Sequence, residues 1–297
     1  MSTRFWRSVL YGGMGVPSGR SLSDLTTELG NMLGDPDPAV RDGLALPILA
    51  AWVSNGVYDD LLTRLGDGIC SLMEDGVGEV ATDGVFQRSF AVLVLAEIIE
   101  RDNRMDLLDD RTVRGWGDRI ARWLVAEKDV RGFDPQKGWA HAVAHGADAI
   151  GALGRSPRIH GPGLVFLLDV VADRVLEPTP EFFVAGEPDR LARAAMDALR
   201  RNLVDVETLE PWLTRLADRA RPDVNDSMHP FRVNGNVQSF LRALYLQLAL
   251  APDRPTLRPD LLLALFERLR ASNPTYLRPD GAHRIRVADV PDPSALL

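Results

Sequence analysis

Apolar residues recur at three- and four-residue spacing along almost the whole chain, whereas alternating apolar and polar runs rich in β-branched residues are nearly absent. That period belongs to helices. Gly, Pro and Asp punctuate it into about twelve segments, predicted over 21–33, 38–54, 57–74, 84–101, 107–128, 138–154, 162–176, 188–203, 206–220, 236–250 and 258–271, with a weaker one near 3–10. Several starts carry capping residues: Ser21 or Ser23 before LTTEL, Asp37 with Pro38 at the first helical position, and Pro188 ahead of DRLARAAM.

Two kinds of helix alternate. One kind is apolar and rich in small residues (AVRDGLALPILAAW, FAVLVLAEII, WAHAVAHGADAIGAL, FLRALYLQLAL), and the other is amphipathic and charged (LLTRLGD, WGDRIARWLVAEKD, WLTRLADRA). Burial should place the first kind inside, or along a concave face, and the second toward water. LGDPDPAVRDGLALPILAAW resembles a HEAT-type repeat, with its acidic, proline-containing turn leading into a helix bearing Val-Arg. LLTRLGD at 61–67 also recurs as WLTRLAD at 212–218, a displacement of 151 residues that fits three units of about fifty. The expected fold is therefore all-α, with stacked helix pairs forming a HEAT/armadillo-like α-solenoid; a closed α/α toroid is the alternative. Residues 1–271 are read as one helical-repeat domain and 272–297, with several prolines and a basic patch, as a loosely ordered C-terminal extension.

Composition narrows the function classes. The 297 residues are 45% hydrophobic and 26% charged, enough to bury a sizeable core. Thirty-four basic against 42 acidic residues leave a net charge of −8, which disfavours a phosphate backbone as partner. The most apolar run, Phe90 to Ile99, spans ten residues and contains Glu97, too short to cross a bilayer. No export signal is legible at the N-terminus, and the single Cys70 suits a reducing compartment, so a cytoplasmic location is expected. Cys70 itself is read as a small buried hydrophobe without chemistry.

The stretch from Glu127 to Asp148, EKDVRGFDPQKGWAHAVAHGAD, is the most informative. At about 100° per residue, His141, His145 and Asp148 share one face of a helix, within an arc of about 60°. Imidazoles four residues apart can converge on a divalent metal ion, the one cofactor the sequence suggests. His141 and Asp148 are separated by about 10 Å along the axis, so Asp148 is expected to orient His145 from outside the coordination sphere, with Glu97 or His160 as further ligands. Three readings stay open: neutral histidines hydrogen-bonded within a packed inner helix, a metal or acid–base centre, or a binding site. Trp139 reads as core. Arg131 and Lys137 flank a Gly-containing turn and could receive an anion at the helix start, against a reading as solvated turn charges.

Arg41, Arg88, His141, Arg193 and Arg242 fall at comparable places in alternate helices, at intervals of 47, 53, 52 and 49 residues. If all turn inward they line one hollow with positive charge, a ladder for an anionic peptide or small molecule; otherwise acids such as Glu97 and Asp197 pair with them structurally. His229, in a Pro/Gly/Asn loop, and His283, in the tail, carry no assignment.

The blocks RSF at 88–90, EKDVRGF at 127–133, GWAHAVAHGAD at 138–148 and FLRALYLQL at 240–248 together resemble the bacterial domain-of-unknown-function family 2785, over about residues 85 to 250. The resemblance implies a helical bacterial protein and transfers no activity. It favours, as functional residues, those inside its motifs: Arg88, Arg131, Trp139, His141, His145 and Asp148. The leading expectation is a binding module that uses its concave face for a protein partner or a small anionic ligand. The alternative is a metal- or histidine-dependent hydrolase with His141, His145 and Asp148 as its catalytic groups.

Overall fold

The computed structural model describes residues 3–220, 232–273 and 277. The chain runs through α1 (Thr3–Tyr11), α2 (Leu22–Met32), α3 (Pro38–Val40), a π turn (Arg41–Ala45), α4 (Leu46–Ser54), a 3₁₀ turn (Asp59–Leu61), α5 (Leu62–Glu74), α6 (Gly84–Met105) and α7 (Asp110–Ala126). A two-stranded antiparallel hairpin follows, β1 (Phe133–Asp134) and β2 (Gly138–Trp139), with Phe133 opposite Trp139. Then come α8 (Ala142–Arg155), α9 (Gly161–Leu176), α10 (Glu187–Leu199), α11 (Val206–Asp218), α12 (Arg232–Leu250) and α13 (Arg258–Ser272). The protein is predominantly α-helical, as its apolar spacing predicts. Among the described residues no helix is long and apolar enough to cross a membrane.

The expected caps form. Ser21 accepts a hydrogen bond from Asp24 N at 3.0 Å, and Asp37 accepts one from Ala39 N at 2.9 Å with Pro38 at the first helical position. Asp109 and Asp205 cap α7 and α11 in the same way, through Thr112 N and Thr208 N. Differences arise where backbone chemistry interrupts the period. The segment 38–54 is not one regular helix, because Pro47 lacks the N–H that would reach Gly43 and its ring would strike that carbonyl. The π turn at Arg41–Ala45 widens the ladder there, with Leu46 N bonded to Arg41 O.

Packing links the apolar helices in series, α4 to α6 to α8 to α10 to α12, and the amphipathic ones likewise, α5 to α7 to α9 to α11 to α13. The recurring LLTRLGD and WLTRLAD segments lie at α5 and α11, in the same series. Cross-contacts such as α5–α6, α7–α8 and α12–α13 join the two layers into one apolar core. Small residues set how closely α8 is approached: a Cβ on Gly146 would stand 2.6 Å from Leu124 Cδ1, and one on Gly154 3.1 Å from Ala198 N. Cys70 is fully buried, and burial pushes its thiol up to about 12, so the reading of it as an inert core residue holds. His229 and His283 lie outside the described residues, as do residues 274–276 and 278–297 of the expected C-terminal extension.

Candidate functional site

Local backbone chemistry, rather than the helical period, places the first histidine. Asp134 accepts from Gln136 N and Lys137 N at 2.9 and 3.0 Å, folding a tight turn, and Gly138 follows at φ +81°. Ala140 N and His141 N bond back to Gly132 O and Arg131 O. His141 is therefore the residue before α8, in the left-handed region at φ 52°, and the helix starts at Ala142 instead of 138. Of the three residues expected on one helix face, His145 and Asp148 lie on α8 and His141 stands just before it. The two imidazoles still meet, edge to face, with centroids 5.6 Å apart.

Both are held neutral. His141 Nε2 lies 3.1 Å from Ala185 O, and because a carbonyl only accepts, this nitrogen carries the proton. Burial, above all, lowers the His141 pKa. The Ser89 hydroxyl has one proton, given to Ala140 O, so the 2.8 Å contact between Ser89 Oγ and His145 Nδ1 must be donated by the ring. His145 also sets its ring edge to face with Phe90 at 5.0 Å. Desolvation, reinforced by the nearby His141 and Arg190, pulls its pKa down to about 3. Asp148 does not orient His145, since its carboxylate is engaged by Arg190 on α10. His160 is 66% exposed and stands 3.8 Å from Asp110, away from these rings. Among the described residues no group of three His, Cys, Asp or Glu side chains is arranged to hold a metal ion.

This geometry has a consequence for stability. His145 is ordinarily protonated below about 6.5 when unfolded but resists protonation in the fold, so the unfolded chain binds the extra proton and stability falls as pH falls from 6.5 toward 3. Between about pH 7.5 and pH 5 the wild type is expected to lose about 2 kcal/mol through this group. His145→Asn keeps an N–H donor for Ser89, and urea titrations at the two pH values should show that share of the loss removed.

Trp139 is not core. It is 43% exposed and stacks on His141, with centroids 4.2 Å apart and planes 24° from parallel. Nor do the arginines form one ladder. Arg88 is wholly buried on α6 and forks onto Glu127, with Nε to Oε2 at 2.5 Å and Nη2 to Oε1 at 3.1 Å. Arg41 is wholly buried with its guanidinium over Phe86 and Phe90, and it ties the hairpin to the α2–α3 turn through Lys137 O and Asp35 O, both at 2.8 Å. Arg131 is occupied by Asp129 and by Thr82 O, each at 2.8 Å, and Lys137 by Asp83 at 2.6 Å. Arg131, in EKDVRGF, and Lys137, just before GWAH, are thus each engaged by a neighbouring carboxylate. Arg242 is exposed and donates to Asn273 at 3.2 Å.

A different surface gathers unsatisfied charge. Adjoining faces of α6, α8 and α10 enclose a groove of about 190 Å³. Three of its carboxylates are paired: Glu100 and Asp197 with Arg155, and Asp148 with Arg190; Asp197 also takes Arg200 at 2.9 Å. Two lining charges make no hydrogen bond or ion pair with any described residue, the half-buried Glu97 on α6 and the exposed Arg193 on α10. Burial, above all, raises the Glu97 pKa; the charge of Arg104 opposes this, and Glu100 and Asp148 add smaller pushes upward. Of this set the sequence points to Asp148, Arg193, Glu97 and Asp197. Arg155, Arg190 and Glu100 escape notice, although Arg190, Arg193 and Asp197 recur at three- and four-residue spacing on α10.

The fold and these two sites define an all-α protein of layered helices, with a histidine-bearing junction at one end of α8 and a charged groove along its length. The chain belongs to the family described as Protein of unknown function (DUF2785), whose pattern matches residues 73–246, from the end of α5 into α12. Both sites fall within the match. No curated protein matches the chain, and no solved structure does.

Proposed function

We propose that this protein is a non-catalytic binding module, built as a HEAT/armadillo-like α-solenoid in which α4, α6, α8, α10 and α12 form the concave layer. In this reading the α6–α8–α10 groove receives a charged segment of a partner protein, in the cytoplasm. The supporting observation is the pair Glu97 and Arg193: every other ionised side chain lining the groove has an ion-pair partner, and these two have none among the described residues, Arg193 acting on Asp148 and Asp197 only through its charge. Arg104 compensates the half-buried Glu97 carboxylate only from a distance, and a cation bound directly to it would recover more of its desolvation cost. A partner segment presenting a Lys or Arg to Glu97 and an acidic group to Arg193 fits both side chains, and stacked helix pairs make extended recognition surfaces.

The hydrolase alternative draws no comparable support. Its two imidazoles are neutral and weakly basic, and its carboxylate is committed to Arg190. A charge-reversal test separates the readings. Glu97→Arg and Arg193→Glu should each weaken binding of partner protein to the immobilised chain by about tenfold or more, with the thermal midpoint unchanged. Undiminished binding by the folded double variant would count against the groove.

A further inference from the structure

The amphipathic helices pack in series from α5 onward, but between α2 and α5 a groove of about 300 Å³ remains. Its floor is apolar, formed by Leu22, Leu65, Ile69 and Leu72, and it narrows where Gly30 meets Leu72, a Cβ at Gly30 standing 3.3 Å from Leu72 Cδ1. Most hydroxyls in its wall are already used. Thr27 Oγ1 donates to Ser23 O at 2.9 Å and Thr26 Oγ1 to Leu22 O at 2.8 Å. The 2.8 Å contact between Thr26 and Tyr58 must then be donated by the phenol, which burial pushes up to about 12 and so keeps neutral. At Gly68 the wall is open, for a Cβ there would meet nothing within 4 Å. From Arg64 to Leu72 along α5 the trough runs about 12 Å.

Among the described residues one charge lines this apolar trough. Arg64 is exposed on α5 and makes no hydrogen bond or ion pair with any described residue. The exposed Ser23 and Asn31 side chains on α2 add uncharged polar groups at the rim. A mostly apolar concavity with a few polar groups to fix orientation is the general form of a small-molecule site.

We infer that the α2–α5 groove binds an amphipathic monocarboxylate, its alkyl chain lying over Gly68 between Leu65, Ile69 and Leu72 and its carboxylate forked on the Arg64 guanidinium. A guanidinium offers two parallel N–H donors to a carboxylate, and a cation that is the one charge among the described residues lining the groove selects against a cationic head group on the same tail. This inference does not depend on the α6–α8–α10 groove.

The test uses the full chain with decanoate and decyltrimethylammonium as matched probes, measured by calorimetry below their micelle concentrations. Decanoate should bind saturably at one per chain, and at least about tenfold more tightly than the cationic probe. Arg64→Gln, a change at an exposed side chain, should weaken decanoate by about tenfold, and Gly68→Leu should abolish binding by filling the trough while the helical circular dichroism and thermal midpoint are retained. Equal affinity for the two probes, absence of saturable decanoate binding, or decanoate binding untouched by both substitutions would overturn the assignment.

Discussion

Replacing Arg88 with methionine is expected to cost about 3–5 kcal/mol of unfolding free energy. Arg88 and Glu127 are both out of contact with water, and the forked pair is the guanidinium's closest carboxylate contact; Glu79 stands 3.9 Å away. Methionine matches much of the packing volume but leaves the Glu127 carboxylate buried and without its cation. Glu127 also accepts from Asp129 N at 2.9 Å, and Asp129 in turn holds Ala81 N and Arg131, so the whole EKDVRGF loop leans on that carboxylate. Removing both charges should be milder, because an ion pair exchanged for apolar side chains loses the Coulomb attraction and the desolvation cost together. Arg88→Met with Glu127→Met should therefore recover most of the loss, less the hydrogen bond to Asp129 N. Guanidinium titrations of the three proteins check this; a cost below about 1 kcal/mol for Arg88→Met alone would contradict the account of the loop.

Two glycines two positions apart on α5, Gly66 and Gly68, should respond to alanine with opposite signs. A Cβ on Gly66 would lie 2.1 Å from Trp116 Cζ2 and 2.4 Å from Cη2, and this indole is 2% exposed with Nε1 bonded to Asp67 at 2.9 Å. The ring has no open space to move into, so Gly66→Ala should cost about 1–3 kcal/mol through forced separation of α5 and α7, even after alanine's better helix propensity is credited. At Gly68 no atom lies within 4 Å of the added carbon. Gly68→Ala should therefore stabilise the protein by about 0.5–1 kcal/mol through the unfolded chain's lost freedom. Thermal midpoints of the two variants, moving apart from the wild type in opposite directions, check both arguments.

Helix positions were legible because apolar side chains at three- and four-residue spacing have one way to be buried together, and caps such as Ser21 and Asp37 act within a few residues. The π turn before Pro47 and the hairpin before α8 were not, since each depends on a local backbone conflict inside an otherwise helical pattern. Site residues divide the same way. The meeting of His141 with His145 was anticipated, though from a helix that begins one residue after His141. Pairings between elements distant in sequence were beyond reach: Glu127 with Arg88, Asp148 with Arg190 and Asp197 with Arg155 join residues 39 to 42 apart, and several carboxylates compete for each arginine until the helices are placed. The arginine ladder failed for that reason, because even spacing along a chain does not fix the direction in which a side chain leaves its helix.

The groove along α8 can be interrogated by putting a photo-reactive residue at Leu93, which lines it on α6, and as a control at Arg114, which is exposed on α7. Irradiation in living cells should give a discrete protein adduct from position 93, lost when Arg193→Glu is added, and none of that mass from position 114. Adducts of the same mass from both positions, or none from position 93, would contradict a recognition role for the charged groove.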